Sequence, residues 1–265
     1  MKIRFAGVFL FLMLGLSLMG QSQLPAEPKP SQEASQLEIK LREAIEKGAT
    51  MEEIANLKPP TIRTPQEAIR ALKVGNARFF GGRAQRPELS ANERRAQIIT
   101  QTPFAVILGC SDSRVPIELV YDQGLGEIFA IRVAGEIVEP ATAGSIEYAI
   151  AHLKTTLLVV MGHEGCGAVK AAMLPEKERK KEPENVRFLL DKIVPSVSDL
   201  PKIRDEKARM REAVIANVRM QVRKAAENPV VKAAVEKNEL AVIGAYYEIS
   251  SGQVDFLETE DELWV

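Results

Sequence analysis

From residue 104 onward, short unbroken apolar runs alternate with stretches in which apolar residues recur every three or four positions. Phe104-Ala-Val-Ile-Leu-Gly-Cys110, Glu127-Ile-Phe-Ala-Ile-Arg-Val133, Thr156-Leu-Leu-Val-Val-Met-Gly162 and Leu240-Ala-Val-Ile-Gly-Ala-Tyr-Tyr247 are runs of the first kind. A run without a polar face predicts a strand covered on both sides, as in a parallel sheet. Residues 141–153 carry helical spacing, with Ile146, Ala149, Ile150 and Leu153 along one stripe. The same period predicts helices over 167–173, 185–194, 207–227 and 230–237, while the Lys-, Arg- and Glu-rich segment 175–184 predicts a solvated loop. Gly252 turns the chain into an antiparallel edge strand over 253–257. Ahead of all this, Thr64-Pro65-Gln66-Glu67 opens a helix: Thr64 caps, Pro65 suits the first turn, and Glu67 completes a capping box. Ala68, Ala71, Leu72 and Phe79 fall mostly on one face of that helix. The expectation is an α/β fold, a mainly parallel central β-sheet flanked by helices, with an antiparallel edge strand and an N-terminal helical extension. No internal repeat is present.

The amino-terminal pattern differs. Lys2 and Arg4 precede an almost wholly apolar run from Phe5 to Met19, and Gly20 and Ser22 offer small residues at a cleavage position. This predicts an export signal, the run being shorter than the ~20 residues of a spanning helix; a retained anchor is the alternative. No cysteine lies nearby to accept a lipid. Residues 21–31 are Pro- and Gln-rich and read as a linker, 33–56 carry helix formers, and Pro59-Pro60 ends that stretch. The chain therefore divides into a signal peptide (1–22), a linker and N-terminal helical extension (23–63), and a catalytic domain (64–265). Export to the periplasm or the medium is expected, with no membrane contact beyond the signal segment. A chain of 265 residues, 46% hydrophobic, supports one sizeable core. With 35 Lys and Arg against 36 Asp and Glu, no nucleic-acid partner is expected.

Chemistry concentrates in a few residues. The only cysteines are Cys110 and Cys166, and the only histidines His152 and His163. Cys110 ends the first predicted strand, His163 follows the third, and Cys166 comes three residues later at a helix start. Ligands of open α/β sheets bind at that end of the strands. Two thiolates and an imidazole suit zinc, and three protein ligands leave a fourth position open, the count of a catalytic site. Taken singly, each cysteine reads as a small core residue, and two cysteines in an exported chain invite a disulfide. The glycines of Gly162-His163-Glu164-Gly165-Cys166-Gly167 permit close backbone approach and favour the metal reading. The dipole of the following helix is expected to favour the Cys166 thiolate. Asp112 lies two residues past Cys110, within reach of a metal or its water, and Arg114 can hold it by a bidentate pair. An ordinary loop salt bridge is the alternative.

Cys110-Ser-Asp-Ser-Arg114 followed by Gly162-His-Glu-Gly-Cys-Gly-Ala-Val169 resembles the signature pair of β-class carbonic anhydrases. The helix from Thr64 to Phe79, Gly124-Leu-Gly-Glu-Ile-Phe-Ala-Ile-Arg132 and Gly144-Ser-Ile-Glu-Tyr-Ala149 are similar to the family as well, so the resemblance runs from about Thr64 to the last strand. It implies Zn2+ held by Cys110, His163 and Cys166, with Asp112 and Arg114 as a catalytic dyad; in some members the aspartate itself joins the metal at low pH. It further implies that Gln101 binds substrate across a dimer interface, and that Phe129 and Tyr148 line the apolar substrate pocket, although simple core is the plainer reading of both. The implied activity is reversible hydration of carbon dioxide to bicarbonate and a proton, in a homodimer or a multiple of dimers. A zinc hydrolase of a related small molecule such as carbon disulfide is the nearest alternative. A non-catalytic zinc-binding or disulfide-stabilised protein is another, against which the presence of both Asp112 and Arg114 speaks. Two departures stand out. Arg132-Val-Ala-Gly-Glu136 replaces both asparagines of the family's Arg-Asn-Ala-Gly-Asn, and Ile107 stands where some bacterial members carry a tryptophan of a regulatory bicarbonate pocket. That regulation is not expected here in the same form. His152, one helical turn after Tyr148, reads as a partly buried helix residue ahead of a proton relay.

Overall fold

A computed structural model describes residues 62–85 and 101–257, together with Glu43 and Lys47. The expected signal segment, the linker and most of the N-terminal helical extension lie outside the described residues.

The first helix, α1 (Pro65–Phe80), starts as its sequence dictates. Thr64 Oγ1 accepts from Glu67 N and the Glu67 carboxylate accepts from Thr64 N, closing the capping box, a cap worth about 1 kcal/mol. Then follow β1 (Ala105–Gly109), α2 (Ile117–Val120), β2 (Ile128–Arg132), α3 (Pro140–Ala151), β3 (Leu157–His163) and α4 (Gly167–Ala172). After these come α5 (Glu176–Arg179), α6 (Glu184–Val197), α7 (Glu206–Ala226), α8 (Pro229–Glu236), β4 (Ala241–Tyr247) and β5 (Val254–Leu257). The segment 175–184, read as a loop, contains the short helix α5: Pro175 sets its start, and Lys180 pairs with Glu176 one turn back. The stripe of α3 holds for Ile146, Ala149 and Ile150, but the helix ends before Leu153, which is only half-buried.

The sheet runs β2-β1-β3-β4-β5, parallel except for the antiparallel β4–β5 edge pair. Every residue of β1, β3 and β4 is buried, as an apolar run on both faces requires. Alternate side chains supply two cores. Val106, Leu108, Leu158, Val160 and Val242 pack beneath α3, α4, α6, α7 and α8. Ala105, Ile107, Leu157, Val159, Met161 and Ile243 pack with Ala68, Leu72 and Tyr121 on the α1 and α2 side.

Two contacts fix how the helices sit. A Cβ on Gly162 would lie 2.5 Å from Val214 Cγ1 and 2.7 Å from Val218 Cγ2, so a glycine in β3 is what lets α7 approach the sheet. On the other face, buried Asn76 of α1 donates to Val120 O and Gly252 O and accepts from Val254 N, at 3.1, 2.9 and 2.9 Å. One side chain thus ties α1 to α2 and to the β4–β5 turn. Among the described residues no helix is long and apolar enough to cross a membrane.

Candidate metal centre

The chain leaves β1 for β2 on one side and leaves β3 for β4 on the other, so the crevice between the carboxyl ends of β1 and β3 is the sheet's topological switch point. Gly109 pairs with Met161 there as the last β1–β3 pair, which puts Cys110 and His163 just beyond the end of that ladder. The Glu164-Gly165 turn, with Gly165 at φ +66°, then brings Cys166 back as the cap of α4. The donor atoms of Cys110, His163 and Cys166 all lie within 4.8 Å of one another, and all three residues are buried.

His163 Nδ1 is 3.0 Å from Glu164 O. With its proton donated to that carbonyl, the ring presents a lone pair on Nε2, which is buried and has no hydrogen-bond partner. A buried acceptor left unpaired is costly unless something takes it up. Two sulfurs and one imidazole nitrogen facing a common point fit zinc by donor type and number. The cysteines form no disulfide. The contact with the Cys166 thiol lowers the Cys110 pKa, assisted by the His163 ring and by the Gly135 and Asp112 backbone, against the cost of burial. The same contact, together with burial, pushes Cys166 up.

Asp112 and Arg114 meet as expected. Arg114 donates from Nε to Oδ1 at 3.0 Å, from Nη2 to Oδ2 at 2.8 Å, and from its backbone N to Oδ1 at 2.9 Å. These hydrogen bonds hold the carboxyl well below the usual carboxylate range. Its Oδ2 lies 3.9 Å from His163 Nε2, beside the three-donor cluster but outside it. Gln101 is exposed ahead of β1. Phe129 on β2 and Tyr148 on α3 come together at 6.1 Å between ring centroids, and Tyr148 is 47% exposed, which is not a core position. His152, expected partly buried, is exposed at the end of α3 with its ring 5.1 Å from Tyr148, because the helix stops there.

Two features escaped the sequence reading. Arg132, at the end of β2, donates from Nε to Cys110 O at 3.0 Å and from Nη2 to Asp112 O at 2.6 Å, so it clamps the loop carrying both residues. Its signal was a basic residue at the carboxyl end of an apolar strand. The second is a buried polar group of Glu136, Asn217 and Gln221. Its signal was two polar residues one turn apart on the otherwise apolar stripe of α7. Glu136 adopts φ 41°, a conformation that costs a non-glycine residue about 1 kcal/mol. Burial pushes its carboxyl up to about 8.

The sequence model of the family described as "Carbonic anhydrase" matches residues 105–254. Carbonic anhydrase 2 of Mycobacterium tuberculosis is 38% identical over 190 residues, spanning 71% of this chain and 91% of that protein. The carbonic anhydrase of Mycolicibacterium smegmatis is 35% identical over 196 residues, covering 72% and 92% respectively. Among solved structures, a tetrameric β-carbonic anhydrase of Sordaria macrospora superposes with a TM-score of 0.59 at 27% identity, over 72% of this chain and 96% of that one. The β-carbonic anhydrase CcaA shares the fold, with a TM-score of 0.59 at 22% identity over 76% and 98%.

Proposed function

This chain belongs to the β-carbonic anhydrase family, and on that premise we infer that Cys110, His163 and Cys166 hold the zinc with which it hydrates carbon dioxide to bicarbonate and a proton. The observation that carries the assignment is the unpartnered, buried Nε2 of His163 facing two sulfurs. Zinc, when bound, supplies the Lewis acid that makes water nucleophilic near neutral pH, as is established for carbonic anhydrases with three histidine ligands.

The chain's own residues do the rest. Glu164 O fixes the His163 tautomer by accepting the Nδ1 proton. Asp112, kept ionised by Arg114, can only accept hydrogen bonds. At its position beside the cluster it accepts one from the attacking water and so turns a lone pair toward carbon dioxide. Arg132 holds the Cys110 and Asp112 carbonyls, keeping ligand and acceptor in one frame. Phe129 and Tyr148 supply an apolar wall suited to a substrate without charge or dipole.

Three finer readings accompany this one. The enzyme works as a dimer or a multiple of dimers, in which Gln101 reaches the site of a second copy; exposed Gln101 and Tyr148 support this. Residues 1–22 direct export and are removed, a reading supported by the basic, apolar and small-residue order of that segment and tested by sequencing the amino terminus of protein recovered outside the cytoplasm. Residues 64–265 form the catalytic domain, which expression of that segment alone would test. The metal assignment is tested by elemental analysis: purified protein should carry stoichiometric zinc, and His163→Ala should lose it. Full zinc in that variant would refute the ligand set.

A further inference from the structure

The turn that follows β2 is bonded to the residue before Cys110, and it is held from behind by side chains that have no part in the chemistry above. Val133 N donates to Gly109 O at 3.1 Å, and Glu136 N closes the turn on Val133 O at 3.0 Å. Between them lies Gly135, at φ +74°. Asn217 of α7 grips this turn with one amide group: Nδ2 donates both to Gly135 O and to Glu136 Oε1, each at 2.9 Å. Asn217 Oδ1 accepts from Gln221 Nε2 at 3.2 Å, and Gln221 Oε1 accepts from Val138 N at 2.9 Å. Glu136, Asn217 and Gln221 are all buried, and Glu136 Oε2 has no hydrogen-bond partner.

A non-glycine residue in the left-handed region, with a carboxyl sunk into the protein, persists only where its surroundings hold it. Leucine would fill the same space without leaving an oxygen unpaired. What Glu136 adds is an acceptor that locks the Asn217 amide in the orientation needed by Gly135 O. With Gln221 fixing the far side of that amide, the turn is pinned at Gly135, Glu136 and Val138.

We propose that Glu136 is a positioning residue of the zinc centre: through Asn217 and Gln221 it fixes the 133–138 turn and so, through Val133 N on Gly109 O, the end of β1 that carries Cys110. This rests on the reading of Cys110 as a zinc ligand. The role belongs to the acceptor oxygen Oε1 and not to a negative charge, so an amide does the same work. Removal of the acceptor lets the Asn217 amide turn, loosens Gly135, and frees the turn that anchors Gly109 beside the ligand. Partners of this kind are worth about 10- to 100-fold in metal affinity.

The test compares the full-length wild type with Glu136→Ala, Glu136→Gln and Gln221→Met, the last keeping its volume while cutting the chain at its other end. Zinc loss to a chromophoric chelator is timed, and the sulfur-to-cobalt absorption band is recorded after cobalt substitution. Glu136→Gln should match the wild type within about twofold. Glu136→Ala and Gln221→Met should release zinc about tenfold faster, with a displaced cobalt band. Wild-type release and an unchanged band in Gln221→Met, or in a folded Glu136→Ala, overturn the proposal even where stability falls. So does a Glu136→Gln variant that releases zinc as fast as Glu136→Ala. Wild-type protein without stoichiometric zinc would instead sink the reading of the centre itself, a result read before any variant is compared.

Discussion

Both oxygens of Asp112 are engaged by Arg114, and this sets what a change of one atom should do. In Asp112→Asn the amide keeps one acceptor but turns a donor toward a guanidinium that only donates. The charged pair is lost, and the amide hydrogens can face the attacking water and misdirect it. The ligand atoms are untouched. The variant should therefore retain zinc while hydration per zinc falls about 100-fold or more, measured by stopped-flow well above neutral pH. Near-normal rates per zinc would remove Asp112 from the mechanism. Cys110, His163, Cys166, Asp112 and Arg114 are legible from sequence because residue type and short local spacing carry their meaning. Arg132 is not, because its value depends on β2 pairing beside β1, with Arg132 opposite Gly109. Glu136 is still less so: it meets Asn217 only after the chain has gone from β2 through β3 and out to α7.

Among the elements, β3 and α7 form the support on which the His163 arm rests. Gly162→Ala would drive a methyl group against Val214 and Val218, at 2.5 and 2.7 Å before any movement. Overpacking of this kind should cost about 1–3 kcal/mol, read as a lower urea midpoint, and Val214→Ala in the same chain should restore part of the loss. An unchanged midpoint would mean that α7 is free to shift. The cap of α1 carries a pH dependence of definite sign. Glu67 accepts from the Arg63 and Thr64 backbone N–H groups, which hold its carboxyl below its ordinary value of 4.5. Its contribution is therefore present above that ordinary pKa and is lost as pH falls through the lowered one. Wild type and Glu67→Gln should differ in Tm at neutral pH and converge on acidification; a constant gap would contradict the assignment. The long strands and helices are legible because period and burial agree over many residues. The helices α2 and α5, of four residues each, are too short to show a period.

At the scale of the whole molecule, the parallel sheet brings two distant motifs to one crevice, and the α/β class with its antiparallel edge follows from the alternation of runs along the chain. A single chain does not bring Gln101 to a site of its own in the expected reading, and Tyr148 stands open beside Phe129. Light scattering should accordingly give a dimer or a multiple of dimers, and a fully active monomer would contradict it. One zinc per chain, held by Cys110, His163 and Cys166, should account for all of the hydration. The most direct measurement is a zinc titration of metal-free protein followed by carbon dioxide hydration rate. Activity should stay at background without zinc, rise linearly with added metal, and reach a sharp plateau at one zinc per chain. Full activity in the metal-free protein, or none at one equivalent of bound zinc, would contradict it.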